Sequence, residues 1–154
     1  MRCFAILLCV VFWGAARADE RPILQLDTGG HMAPIKGLAF TPDGTQMVSA
    51  SDDKVIRVWD LASGKTVRTI RGESGGGNEG KIFAMALSAD GKWLAVGGWM
   101  KTAGQQGHHI RLFDFSSGKL VALLKGHTDV VGNLAFSHNG RNLISGSDDN
   151  TAII

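Results

Sequence analysis

The chain has 154 residues, of which 44% are hydrophobic and 19% charged, with 21 glycines and 3 prolines. That is one domain's worth of residues, and the apolar fraction without a strict glycine period excludes a disordered or collagen-like chain. The only cysteines, Cys3 and Cys9, lie close together at the start, so disulfides cannot carry the fold.

Residues 1–18 read as a secretory signal peptide. Arg2 is the only charge before an apolar run over residues 3–13, and Ala16-Arg17-Ala18 supplies the small residues of a cleavage site. The run is too short to span a bilayer as a helix, which takes about 20 apolar residues. Leu8 precedes Cys9 where a lipoprotein signal wants a small residue. Cleavage is expected between Ala18 and Asp19, which makes the protein secreted or periplasmic. It removes Arg2 and Arg17 and no acid, leaving 14 basic and 14 acidic residues and no cysteine. A neutral mature chain lacks the electrostatic footprint of a nucleic-acid binder and, once cleaved, has no membrane segment.

Beyond the leader the chain repeats itself. Segments 37–44, 84–91 and 132–140 align, with Phe40, Leu87 and Phe136 corresponding at intervals of 47 and 49. Each is a short apolar strand ending in Asp-Gly or Asn-Gly, dipeptides that tolerate the positive φ of a hairpin turn. Second strands are expected at 46–50, 93–97 and 142–146, third strands at 55–60 and 109–114, and fourth strands at 66–70 and 120–124. No sustained helical period follows the leader. Four short strands per repeat describe a propeller blade.

At these residues the chain resembles the WD-repeat family. Gly30-His31, Ser51-Asp52-Asp53 and Val58-Trp59-Asp60 form one ordered set. Gly126-His127 and Ser147-Asp148-Asp149 begin a second, and the middle unit has Phe113-Asp114 in place of Trp-Asp. The resemblance implies an all-β, incomplete WD-repeat propeller, with two full four-stranded blades, a truncated third, and an N-terminal strand that closes the ring. The units are 30–72, 73–125 with a loop insertion at 98–107, and 126–154. Residues 19–29 hold the closing strand, at 22–26. The resemblance further implies a structural network of His31, Ser49, Asp53 and Trp59, with His127, Ser145 and Asp149 as counterparts.

Asp53 precedes Trp59 by six residues, whereas Ile154 is the last residue and lies five after Asp149. Fewer than three blades cannot close a ring, since closed propellers have about four to eight. The chain is therefore expected to be the N-terminal part of a longer protein, with self-assembly of copies as the alternative if 154 residues is the true length.

Several patterns look chemical and are not. Residues 75–80 satisfy G-x-G-x-x-G and residues 72–76 satisfy G-x-S-x-G around Ser74, but both motifs need a strand-to-helix turn and strands flank this loop on both sides. His108 and His109 are adjacent on a strand and point to opposite faces, so they do not share a metal. The pairs Asp52-Asp53 and Asp148-Asp149 lack the 6–8 oxygens calcium takes. No cofactor, metal or catalytic constellation is expected. The middle unit has seven extra residues between its second and third strands, and Gly107 where its network aspartate would stand. In a propeller of the kind the resemblance implies, its insertion and the glycine-rich loop 72–80 would emerge on one face. Trp99, Met100, Lys101 and His108 are therefore the candidate partner-binding residues. These features imply a non-catalytic interaction scaffold that presents loops to protein partners. The alternative is a regulatory or substrate-binding propeller of a larger enzyme, for example a peptidase, whose catalytic domain lies elsewhere.

Overall fold

The structure is a computed structural model that describes residues 29–72, 75–101 and 107–154. The leader and the strand expected at 22–26 lie outside the described residues, as do Ser74 and residues 102–106 of the 98–107 insertion. Among the described residues the chain is all β, without a helix.

Among the described residues, eleven strands form three antiparallel sheets. The first holds β1 (Ile35–Phe40), β2 (Gln46–Ser51), β3 (Val55–Asp60) and β4 (Thr66–Arg71) in that order. The second holds β5 (Ile82–Leu87), β6 (Trp93–Gly98), β7 (His108–Asp114) and β8 (Lys119–His127). The third has β9 (Val131–Phe136), β10 (Leu143–Ser147) and the two-residue β11 (Ala152–Ile153). Strand neighbours in space are neighbours in sequence throughout, as expected of hairpin-linked blades. The fourth strand of the second sheet runs to His127, three residues past its expected end. It pairs with β7 through a bulge, which sets His108 opposite His127.

The turns explain the hairpins. In the first, the Thr41 hydroxyl donates to Asp43 Oδ1 at 2.6 Å, and the same oxygen accepts the Thr45 N–H at 3.0 Å. Gly44 then takes φ of 67°. Ser88 with Asp90, and Ser137 with Asn139, repeat the arrangement, with Gly91 and Gly140 in the left-handed position. The turns between third and fourth strands use the aspartate of the Trp-Asp or Phe-Asp pair. Asp60 accepts from the backbone and hydroxyl of Ser63, and Asp114 from those of Ser117 and the hydroxyl of Ser116. These donors, the Ser117 N–H first, bring the Asp114 carboxyl down to about 2.

The core lies between sheets. Strand register assigns each residue a face. On the first sheet, Gly37, Ala39, Val48, Ala50, Ile56 and Val58 share the face that meets the second sheet. The second sheet answers with Met85, Leu87, Leu94, Val96 and Phe113. Its other face, with Ala95, Ile110 and Leu112, meets Val131, Leu134, Phe136 and Leu143 of the third. The contact is large against small. A Cβ on Gly37 would come within 2.7 Å of Met85 Cβ, and one on Gly97 within 2.7 Å of Val131 Cγ1.

This packing separates two similar substitutions. Gly97→Ala should cost about 1–3 kcal/mol of stability through overpacking. Gly146→Ala, at the matching position of the third sheet, should be close to neutral, because a Cβ there meets only Asn133, at 3.6 Å. Denaturant melts of the two variants check the difference, and equal losses would refute the inter-sheet arrangement.

Candidate functional site

At one end of the first sheet, a loop histidine reaches across to the turn between β2 and β3. His31 Nδ1 lies 2.8 Å from Asp53 Oδ2, and His31 Nε2 lies 2.7 Å from Ser49 Oγ. Trp59 Nε1–H donates to the same Ser49 oxygen at 2.7 Å. These partners fix the protons. An ionised carboxylate only accepts, so Nδ1 carries the imidazole hydrogen and donates it to Asp53. Nε2 then accepts the Ser49 hydroxyl hydrogen, and Ser49 Oγ accepts from the indole. One tautomer satisfies four side chains in a row.

The third sheet repeats the arrangement. His127 Nδ1 is 2.9 Å from Asp149 Oδ2, and His127 Nε2 is 2.8 Å from Ser145 Oγ. No indole donor reaches Ser145 among the described residues; its hydroxyl lies 3.3 Å from the Ile153 carbonyl. Both imidazoles are buried.

Burial alone would raise the Asp53 carboxyl. The Met32 N–H at 3.0 Å, the His31 ring and the Val55 N–H outweigh it, and the group titrates below its ordinary range. Asp149 is lowered further, first by the Thr151 hydroxyl at 2.6 Å and then, against burial, by the Thr128 N–H and His127.

Sequence reading overlooked a second hydroxyl in each network. Ser51 Oγ donates to the Ala33 carbonyl at 3.0 Å and accepts the Asp53 N–H at 3.1 Å, and Ser147 does the same with Asp129 and Asp149. These serines tie the incoming loop to the turn. The repeated Ser-x-Asp tripeptide was the available signal.

Among the described residues, the middle unit holds no such network. Matching positions carry Asn78 for His31, Val96 for Ser49, Gly107 for Asp53 and Phe113 for Trp59. Donor and acceptors have gone together, so none of these four positions is left as a buried orphan. Val96, Phe113 and Met100 are buried in one apolar cluster. Gly107 is required where it stands, since a Cβ there would lie 2.3 Å from the His127 carbonyl oxygen.

This corrects the expectation that Trp99, Met100, Lys101 and His108 are displayed together. Met100 is 1% exposed and His108 is 3% exposed. Met100 turns inward because apolar Val96 and Phe113 make an apolar seat. Trp99 is half-buried, edge-on to His108 with ring centroids 5.4 Å apart. Lys101 alone of the four is exposed. His109 is also buried, and neither ring nitrogen has a hydrogen-bond partner among the described residues. Burial lowers both histidines; Lys101 adds to the effect on His108 against Asp129, and Lys125, His108 and Arg111 add to it on His109.

Comparison with known proteins assigns the pattern. The WD domain, G-beta repeat family matches residues 22–60, 64–114 and 118–154. The chain belongs to the WD-repeat family. The second match begins just before β4 and ends with β7, so the sequence repeat is offset by one strand from the sheet. An Arabidopsis thaliana relative, cell division cycle 20.6, cofactor of APC complex, is 26% identical over 94% of this chain and 31% of its own length. An uncharacterized WD repeat-containing protein of Synechocystis is 38% identical over 90% of the chain and 36% of its own. The solved structure of U3-55K superposes with a TM-score of 0.67 at 29% identity, over 81% of this chain and 39% of that one. The chain thus spans about a third of the length of the curated relatives it matches.

One outcome tests the WD-repeat network, and a second tests the buried histidines of the middle unit together with the network aspartates. Asp53→Ala should cost about 1.5–3 kcal/mol, the worth of charge-assisted hydrogen bonds, and unchanged unfolding would refute the arrangement. Acid should act in two stages. The folded-state pKa of His108 and His109 lies below the unfolded value of about 6.5, so their contribution is full above that pH and falls away below it. Asp53 and Asp149 are likewise depressed, and their contribution is lost only below about pH 4. Melting temperature against pH should show both steps. His109→Val, which installs the residue of the matching Val55 position, should shrink the upper step and spare the lower; an unaltered upper step would refute the assignment.

Proposed function

We propose that this chain belongs to an exported, non-catalytic WD-repeat propeller that binds a protein partner through the loops over its middle blade. The observation that carries this reading is the contrast between units. Two hydrogen-bonded networks brace the outer units, while the middle one trades its network for an apolar seat beneath an enlarged loop. A rigid base with one variable loop suits recognition. Exposed Lys101 beside half-buried Trp99 gives that face a cation against an aromatic shoulder. The Arabidopsis relative, by name a cofactor of a complex, supports an assembly role. Export rests on the pattern of residues 1–18.

The test is export followed by capture. The exported chain should begin at Asp19 by intact mass. Used as bait on the exported fraction, it should recover a partner in stoichiometric yield. Lys101→Glu should reduce recovery about tenfold without changing the melting temperature. A product retaining Met1 overturns export, and recovery unaffected by Lys101→Glu and Trp99→Ala overturns the loop assignment.

A further inference from the structure

Asparagine followed by glycine is a chemically reactive pair. The backbone nitrogen of the second residue can attack the side-chain carbonyl of the first, and glycine, lacking a Cβ, puts nothing in the way. Among the asparagines of the chain, only Asn139 is followed by glycine. It stands exposed at the turn between β9 and β10 of the third sheet. A Cβ on Gly140 would meet nothing within 4 Å, so the turn is open on that side. The matching turns of the other two sheets carry Asp43-Gly44 and Asp90-Gly91.

The closed turn holds the reacting groups in place. Asn139 Oδ1 accepts the Ser137 hydroxyl at 2.7 Å and the Arg141 N–H at 3.1 Å. The attacking nitrogen is itself engaged, since the Gly140 N–H donates to the Ser137 carbonyl at 2.8 Å. Ser137 Oγ also accepts the Asn142 N–H at 3.0 Å, so one hydroxyl fixes both the side-chain amide and the far side of the turn. Ring closure therefore waits for local opening, and that hydroxyl helps to keep the turn shut. The place of the product is already prepared. Asp43 Oδ1 accepts from the Thr41 hydroxyl and the Thr45 N–H, and Asp90 Oδ1 from the Ser88 hydroxyl and the Lys92 N–H. Those donors, the hydroxyl first in each case, hold both carboxyls below their ordinary range. Ser137 and Arg141 present the same pair of donors to position 139. A carboxylate there would take charge-assisted bonds where the amide takes neutral ones.

We propose that Asn139 is a site of spontaneous conversion to aspartate, restrained by the Ser137 hydroxyl. The Gly140 nitrogen gives up its proton and bonds to Asn139 Cγ. The Cγ–Nδ2 bond breaks, and the amide nitrogen leaves as ammonia with that proton. Water then opens the cyclic imide. Attack at Cγ breaks the new bond to Gly140 and leaves aspartate in a normal chain. Attack at the Asn139 main-chain carbonyl leaves isoaspartate instead, whose main chain is one carbon longer and does not fit the pairing of Ser137 with Asn142. The sum is one water consumed and one ammonia released, with no oxidation or reduction. Conversion to aspartate puts a negative charge between His138 and Arg141 and gives all three turns the same carboxylate. The inference does not depend on the partner-binding reading of the middle loop.

The test ages the purified full-length protein in warm, mildly alkaline buffer and follows the tryptic peptide 126–141 by mass, with the unaged protein as reference. That peptide also carries Asn133, followed by Leu134, as an internal control. Asn139 should gain about one dalton while Asn133 stays intact. Ser137→Ala should speed the gain about fivefold, the factor that follows from losing one hydrogen bond of ordinary net strength. Ser88→Ala removes the matching hydroxyl of the second sheet without touching Asn139 and should leave the rate unchanged, which separates local release from general loosening. Asn139→Asp should melt at or above the wild-type temperature. An intact Asn139 after ageing, or conversion of Asn133 at the same rate, overturns the site. A wild-type rate in Ser137→Ala, or equal acceleration by Ser88→Ala, overturns the restraint. A lower melting temperature for Asn139→Asp overturns the fit of the product.

Discussion

Every sheet in this chain is too thin to make a core by itself. A four-stranded sheet has two faces and shields neither, so its stability is borrowed from the sheets beside it. The remaining features serve that borrowing. Gly37 and Gly97 remove the Cβ atoms that would hold two sheets apart. The Asp-Gly and Asn-Gly turns end each first hairpin at the same depth, which keeps the large residues of one sheet in register with the small floor of the next. The one-strand offset between matched repeats and sheets has the same effect through the backbone. The second and third matched units each contribute their first strand to one sheet and the rest to the following one, so neither is a sheet on its own.

The polar networks do a different job from the apolar contacts. His31, Ser49, Asp53 and Trp59 link the incoming loop, the second strand, the turn and the third strand of a single sheet. They contribute directionality, which dispersion lacks: one histidine tautomer, one hydroxyl orientation, one loop path. The middle unit shows what happens when that requirement is dropped. Its four matching positions are changed together, and Met100 occupies the same apolar cluster as Val96 and Phe113. A partial change would have left a buried carboxylate or imidazole without its partner, at a cost of several kcal/mol for an uncompensated buried charge. The coordinated change avoids that cost and releases the turn from a fixed length, and the insertion lies in that turn.

Much of the fold was readable in the sequence because its signals are local. Turn dipeptides and alternating apolar residues mark the strands within a residue or two, and the spacing from His31 to Asp53 recurs from His127 to Asp149. What escaped was directional. The sequence around Trp99 and Met100 names an aromatic and a thioether without saying which points inward. That depends on the replacement of Ser49 by Val96 and Trp59 by Phe113 at matching positions, distant along the chain. Ser51 and Ser147 escaped because a strand-end hydroxyl has no periodicity of its own. The extension of β8 to His127 escaped because it rests on a bulge and on Gly107 closing against the His127 carbonyl.

That last contact joins the two halves of the design. Gly107 ends the enlarged loop of the middle unit and touches the residue that anchors the network of the third. His108 follows it, buried, and pairs across the strands with His127. The variable loop is therefore not hung on a free end. Its C-terminal foot rests on the backbone of a histidine held by Asp149 and Ser145, and its N-terminal foot is held by Trp99, whose backbone bonds to Gly80 and Lys81. Replacing Gly107 with any other residue would press a side chain on the His127 carbonyl oxygen.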